Sequence, residues 1–161
     1  MEKVTIDDVD NQVNPLQVHD VRRPVSQALG IENFAMNYFE LGPGDSFSGG
    51  IHRHLDQEEV FYIESGTTIF EVGREREKHR VEAGELIRFE PGEFQTGRAV
   101  EDGDGVVGWA LGAPGARHDW DQLESLVYCS DCDDERAHTT IITDEGRFQL
   151  TCNECEAEMT L

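Results

Sequence analysis

Two groups of side chains in this 161-residue chain have the types and spacing for metal chemistry. His52 and His54 stand two residues apart, and Glu59 follows five residues after the second histidine. On an extended strand, residues i and i+2 face the same side, so both imidazoles share one face. Two imidazoles and one carboxylate form the facial set associated with non-haem Fe(II), and Mn, Ni, Co or Zn also accept such donors. The plainer reading is two surface histidines in a hairpin, but holding both rings together on one barrel face favours a metal. The second group is Cys129, Cys132, Cys152 and Cys155, which reads C-x2-C, nineteen residues, C-x2-C. Two close pairs separated by about 15 to 20 residues can bring four thiolates onto one tetrahedral Zn²⁺. Disulfides compete with that use, and a cytoplasmic setting disfavours them. A thioredoxin-like redox pair would need a βαβ context that neither C-x2-C has.

The elements that must position these residues are short and β-rich. Candidate strands are Phe34 to Leu41, Phe47 to His54, Glu59 to Ile63, Thr67 to Val72, Lys78 to Val81, Glu85 to Phe89, Gln95 to Arg98 and Val106 to Leu111. Turn signals separate them, among them Gly42-Pro43-Gly44-Asp45, Ser65-Gly66, Pro91-Gly92 and Asp102-Gly103-Asp104-Gly105. Many short strands at regular spacing indicate an all-β sandwich or barrel of antiparallel sheet. Helix is scarce: Pro24 starts and Gly30 stops one short turn, and Asp119 to Val127 could form another. Between the cysteine pairs, Thr139 to Ile142 and Arg147 to Thr151 flank Asp144-Glu145-Gly146, a hairpin with its turn. That segment is too short for a core of its own, so a metal would supply its stability. The expected organisation is a barrel with an N-terminal arm over 1–115, a linker over 116–127 and a small cysteine-bearing unit over 128–161.

The run Gly49-Gly50-Ile51-His52-Arg53-His54 through Glu59 to Gly66 resembles the first motif of the cupin family, H-x-H, three or four residues, E, six residues, G. Counting back from Gly66 selects Glu59, with Glu58 the alternative. Gly84 to Gln95, including Pro91-Gly92, is similar to the second cupin motif. The resemblance, over about residues 30 to 113, implies a jelly-roll barrel with the metal held by His52, His54 and Glu59. In the family a histidine closes the second motif as fourth ligand, and here Gln95 holds that position. An amide oxygen is a harder, weaker ligand than imidazole, so Gln95 would ligate weakly or contact substrate. The C-terminal segment resembles a zinc ribbon. Ribbons usually place glycine after the second cysteine of each pair, whereas Asp133 and Glu156 stand there.

Composition narrows the partners. Thirty-four acidic residues against thirteen basic ones give a formal charge of -21, with lysine only at Lys3 and Lys78. Such a field repels nucleic acid and anionic membranes, so neither is an expected partner. Acidic residues interleaved with periodic apolar ones argue for an acidic surface adapted to high salt rather than for disorder. No apolar run reaches the roughly 20 residues of a membrane span, and the first residues lack a signal-peptide pattern, so the expectation is a cytoplasmic protein. Gly103-x-Gly105-x-x-Gly108 sits in an acidic turn and not in a dinucleotide-binding context. Arg22-Arg23 reads as a local salt-bridging pair, His79, His118 and His138 as surface residues, and Phe61, Tyr62, Phe89 and Trp109 as core or cavity aromatics. Two functions follow. One is a metal-dependent cupin enzyme acting on a small organic molecule, dioxygenase- or isomerase-like. The other is a non-enzymatic ligand-binding or regulatory cupin whose ribbon contacts a partner. Fold does not choose between them. The expected ligand is a small organic molecule, and the architecture allows a homodimer.

Overall fold

The computed structural model describes residues 1–12, 14–117 and 120–161. Along the chain come Val21–Pro24 (β1), a helical turn Val25–Leu29 (α1), Ala35–Leu41 (β2), His52–His54 (β3), Glu58–Ser65 (β4), Thr67–Val72 (β5) and Glu77–Glu82 (β6). Then follow Leu86–Phe89 (β7), Gln95–Ala99 (β8), Val106–Ala113 (β9), Leu123–Cys129 (β10), Asp134–Ile142 (β11), Phe148–Cys152 (β12) and Glu158–Thr160 (β13). Two sheets form. One has the order β1-β2-β9-β4-β7, and the other β13-β12-β11-β10-β3-β8-β5-β6.

Alternation drives the pairing of these sheets. In β2, Ala35, Phe39 and Leu41 are buried while Glu40 faces solvent, and in β4 Phe61 and Ile63 are buried. Their inward side chains meet Phe47, Phe70, Val81, Phe89, Ala99, Val106 and Ala110 in one core. Phe61 lies 5.0 Å from both Phe47 and Phe70, ring centroid to centroid, in tilted packing. Each such ring removed from water stabilises the barrel by roughly 1.5–3 kcal/mol. The outward residues Tyr38 and Trp109 pair edge to face on the other side of the five-stranded sheet. There Trp109 Nε1 donates to Glu64 at 3.0 Å, so Trp109 is an outer-face residue and not a cavity wall.

Four expectations change. The strand expected over 47–54 shortens to His52–His54, because Ser48-Gly49-Gly50 favours a bend and Leu16 of the N-terminal arm is seated against Gly49, where a Cβ would stand 2.8 Å from its side chain. Val21–Pro24, unassigned from sequence, is an edge strand, and Pro24 ends it and precedes α1 instead of opening the helix. The turn expected over 119–127 is confined, among the described residues, to a 3-10 turn at Trp120–Gln122, and residue 119 lies outside them. Leu123, Leu126 and Val127 have helical spacing, yet they form β10, since β3 and β11 offer it hydrogen-bonding edges on both sides. The linker expected over 116–127 therefore ends at β10, and one continuous sheet runs from the barrel into the cysteine hairpin. Glu124 fastens that junction: Arg53 pairs with it at 2.6 Å and Asn153 donates to it at 2.7 Å.

Candidate metal centre and ligand cavity

The barrel cluster draws on both sheets. His52 and His54 come from β3 and Gln95 from β8, directly opposite His52 in register, whereas Glu59 comes from β4 in the facing sheet. The histidine rings stand 5.2 Å apart and nearly perpendicular. One ligand atom from each of His52, His54 and Glu59 lies within 4.8 Å of the others. Glu58, the alternative carboxylate, instead accepts from Arg88 Nε at 2.6 Å on the outer face. Gly66 closes the first motif at φ 85°, and a Cβ there would stand 2.1 Å from the Gly105 carbonyl oxygen, so only glycine fits.

Hydrogen bonds orient the donors. His52 Nδ1 lies 3.0 Å from the Gly50 carbonyl, which can only accept, so Nδ1 carries the proton and Nε2 presents its lone pair. That is the arrangement by which ligating histidines are usually oriented. Burial keeps the His52 pKa below its ordinary value, which favours the neutral ring. Gln95 Nε2 donates to Glu59 Oε2 at 2.8 Å and lies 3.3 Å from His52 Nε2, and His54 Nε2 is 3.7 Å from the same carboxylate. Burial drives Glu59 up from 4.5 to about 7, against the lowering effect of the Gln95 hydrogen bond. Gln95 Oε1 is buried with no hydrogen-bond partner. Turning that amide over would bring the oxygen to the side shared by His52 and Glu59. A cation there would take up the buried carboxylate charge and the orphaned oxygen together. These donors fit a divalent metal.

A cavity of about 400 Å³ opens beside the cluster, lined by His52, His54 and Glu59 together with residues that sequence reasoning passed over. Among these are His19 and Arg22 from the N-terminal arm and β1, and Asn37 from β2. His19 is 3% exposed, and its Nδ1 lies 2.9 Å from the Ser46 carbonyl. Arg22 is half-buried opposite Phe39 and donates to Asn37 Oδ1 at 3.3 Å. The expected salt-bridging pair divides: Arg23 meets Asp7 at 3.7 Å, while Arg22 makes no ion pair among the described residues. The signal in sequence was only a histidine and an arginine three residues apart in an arm without periodicity. The opposite wall comes from the hairpin, through Thr140, Ile142, Phe148 and Leu150.

The four cysteines also converge. Cys129 and Cys155 sulfurs are 3.5 Å apart, Cys132 and Cys152 3.9 Å, and all four lie within 4.8 Å of one another. Tetrahedral Zn–S bonds of about 2.3 Å would set sulfurs about 3.8 Å apart, and all four cysteines are free thiols. Backbone N–H groups at Cys155 and Glu154 lower the Cys152 thiol to about 7, while the hydrogen bond with Cys155 pushes the Cys132 thiol up. The set fits a tetrahedral soft cation. Asp133 and Glu156, standing where ribbons carry glycine, adopt φ 53° and 62°. His138, expected at the surface, is fully buried, on the same face of β11 as the buried Thr140. His79 is a surface residue 3.6 Å from Glu77, and His118 lies outside the described residues.

Fold and side chains together define a small jelly-roll barrel with two histidines and a carboxylate converging in its interior. Residues 37–110, just under half of the chain, match the cupin domain family. It is similar in fold to a cupin protein from Bacteroides fragilis, at 20% identity and TM-score 0.53, over 65% of this chain and 82% of that one. It is similar also to a sugar phosphate isomerase of the cupin superfamily from Silicibacter pomeroyi, at 16% identity and TM-score 0.60, over 99% and 92% of the two chains. Oxalate decarboxylase from Bacillus subtilis aligns at 21% identity and TM-score 0.57 over 74% of this chain, which spans 30% of the decarboxylase. No curated protein sequence matches the chain. No helix among the described residues is long and apolar enough to cross a membrane.

Proposed function

We propose that this protein holds a divalent transition metal in the cupin barrel, through His52, His54 and Glu59 with Gln95 as a weak fourth donor, and acts on a small organic molecule in the adjoining cavity. The observation that carries the reading is the convergence of the three ligand atoms within 4.8 Å, with the Gln95 amide against His52 and Glu59 and its oxygen buried without a partner. Fe, Mn, Ni, Co and Zn all accept such a set, and a study of the oxalate decarboxylase names Mn(II) centres in that enzyme. A bound metal would polarise a substrate oxygen as a Lewis acid. The chain's own residues supply the rest: His52 is locked in one tautomer by Gly50, and the aromatic core closes the barrel behind the site. The reaction would be of the dioxygenase or isomerase kind.

The second reading is a ligand-binding or regulatory cupin without turnover, and Gln95 favours it, since an amide in place of imidazole weakens the hold on the metal. Under either reading the four cysteines hold a structural Zn²⁺. We place the protein in the cytoplasm, where thiols stay reduced. Elemental analysis tests the metals. Two per chain, with the non-cysteine one lost when His52 and His54 are both changed to Ala, is the expected result. One zinc per chain, unchanged in that double variant, would overturn the barrel site. Turnover of candidate substrates by the metal-loaded protein, absent from the double variant, separates the enzyme from the binding protein.

A further inference from the structure

Arg22 is a cation with no ion-pair partner among the described residues, at the wall of the half-open cavity. Its backbone is fixed on both sides, with Asn11 Oδ1 accepting from its N–H at 2.8 Å and its carbonyl accepting from Gln12 N–H at 2.8 Å. Its guanidinium meets one neutral amide oxygen, Asn37 Oδ1, and no carboxylate among the described residues. A chain with 34 acidic residues and 13 basic ones would readily supply an ion-pair partner. Burial without a partner is costly for a charge, and burial here lowers the Arg22 pKa. His19 lines the same cavity with a second unmet group. Its Nδ1–H is committed to the Ser46 carbonyl, and its Nε2 is buried with no partner. In the neutral ring that Nε2 can only accept.

We infer that the cavity binds a small hydroxycarboxylate, its carboxylate on Arg22 and its hydroxyl donating to His19 Nε2. A planar carboxylate matches the guanidinium fork and balances its single charge, which a phosphate dianion would exceed. The acidic exterior does not forbid an anion here, because exposed charges beyond about 8 Å are screened at physiological ionic strength. Contacts of about 3 Å inside a cavity are screened far less. The inference rests on the proposed function, which puts a small organic molecule in this cavity, and a barrel metal would ease the repulsion between that ligand and the Glu59 carboxylate. It assigns a substrate class to that site through residues outside both cupin motifs.

The test is calorimetric titration of the purified full-length protein, with its metal content measured, using glycolate, acetate, glycolamide and inorganic phosphate. Glycolate is expected to bind most tightly. R22Q and N37D, the second placing a carboxylate beside Arg22 and neutralising it in place, should each weaken glycolate at least about tenfold. R22K should retain part of the affinity. H19F, which preserves the ring packed against Phe39, should reduce glycolate to the level of acetate. Unchanged glycolate affinity in R22Q or N37D with barrel metal present would overturn the inference while leaving the metal reading intact. Arg22-dependent phosphate binding tighter than glycolate would overturn the carboxylate assignment. Should the barrel hold no metal, the metal reading fails on that measurement. The titration then decides the inference separately: Arg22-dependent glycolate binding supports it, and none overturns it.

Discussion

Replacing Glu59 with Gln should make the protein more stable without a barrel metal and unable to hold one. Glu59 titrates near 7 in the folded chain against an ordinary value of 4.5. The folded state therefore binds the proton more tightly than the unfolded state, and stability declines as pH rises through the interval from 4.5 to about 7. Its contribution is fully present below 4.5 and lost above 7. At about 1.4 kcal/mol per pH unit, the interval gives an upper limit of about 3.5 kcal/mol. The side chain keeps 19% of its surface accessible, so the realised value will be lower. E59Q removes this penalty and keeps the shape. At pH 8 the metal-free variant should melt above metal-free wild type by several degrees, since each kcal/mol is worth about 2–4 °C in a chain this long. At pH 4.5 the two should melt together. The assay is thermal unfolding by circular dichroism across pH, on samples whose metal content is measured. Parallel pH profiles for wild type and E59Q would refute the account of Glu59 as a buried carboxylate awaiting a cation. With metal supplied, the order should reverse, because a neutral amide cannot replace the carboxylate.

Q95H should tighten the barrel metal by about tenfold or more, read by competition with a chelating dye, because imidazole replaces an amide opposite His52; no change would mean that position 95 does not reach the ion. E156G should raise the melting temperature by a few degrees, since a non-glycine residue at φ 62° costs roughly 1–2 kcal/mol, and an unchanged melt would show that the turn tolerates glutamate. Raising salt from about 0.1 M to 1 M shortens the Debye length from about 10 Å to 3 Å, so the -21 charge predicts a rising melting temperature with added KCl, and a falling one would count against an acidic surface adapted to salt.

Much of the barrel was legible because its strands carry their own alternation. Phe39 and Leu41, or Phe61 and Ile63, announce one buried face without help from the rest of the chain. The His52–His54 pair was legible for the same reason, as period two on a strand puts both rings on one side. What was not legible depends on partners distant in sequence. The apolar spacing of β10 suits a helix, and only the open edges of β3 and β11 make it a strand. Glu58 and Glu59 are equivalent in sequence until the sheet turns one toward Arg88 and the other inward. Arg22 looked like one half of a local salt-bridging pair, because nothing local shows that Asn37, fifteen residues on, would be its polar neighbour. His138 was misplaced similarly: a lone histidine among polar residues gives no local sign that its face of β11 is the buried one.

The eight-stranded sheet passes without interruption from barrel to cysteine hairpin, so the two proposed metal sites would bear on each other's occupancy. Thr140, Phe148 and Leu150 stand in the hairpin and wall the cavity, so whatever fills the cavity also holds the hairpin closed. If a ligand in the barrel strengthens the cysteines' hold on a cation, reciprocity requires that stripping the cysteines weaken the ligand by the same factor. The C-terminal segment would thus unfold less readily in the presence of a molecule that never touches a sulfur atom.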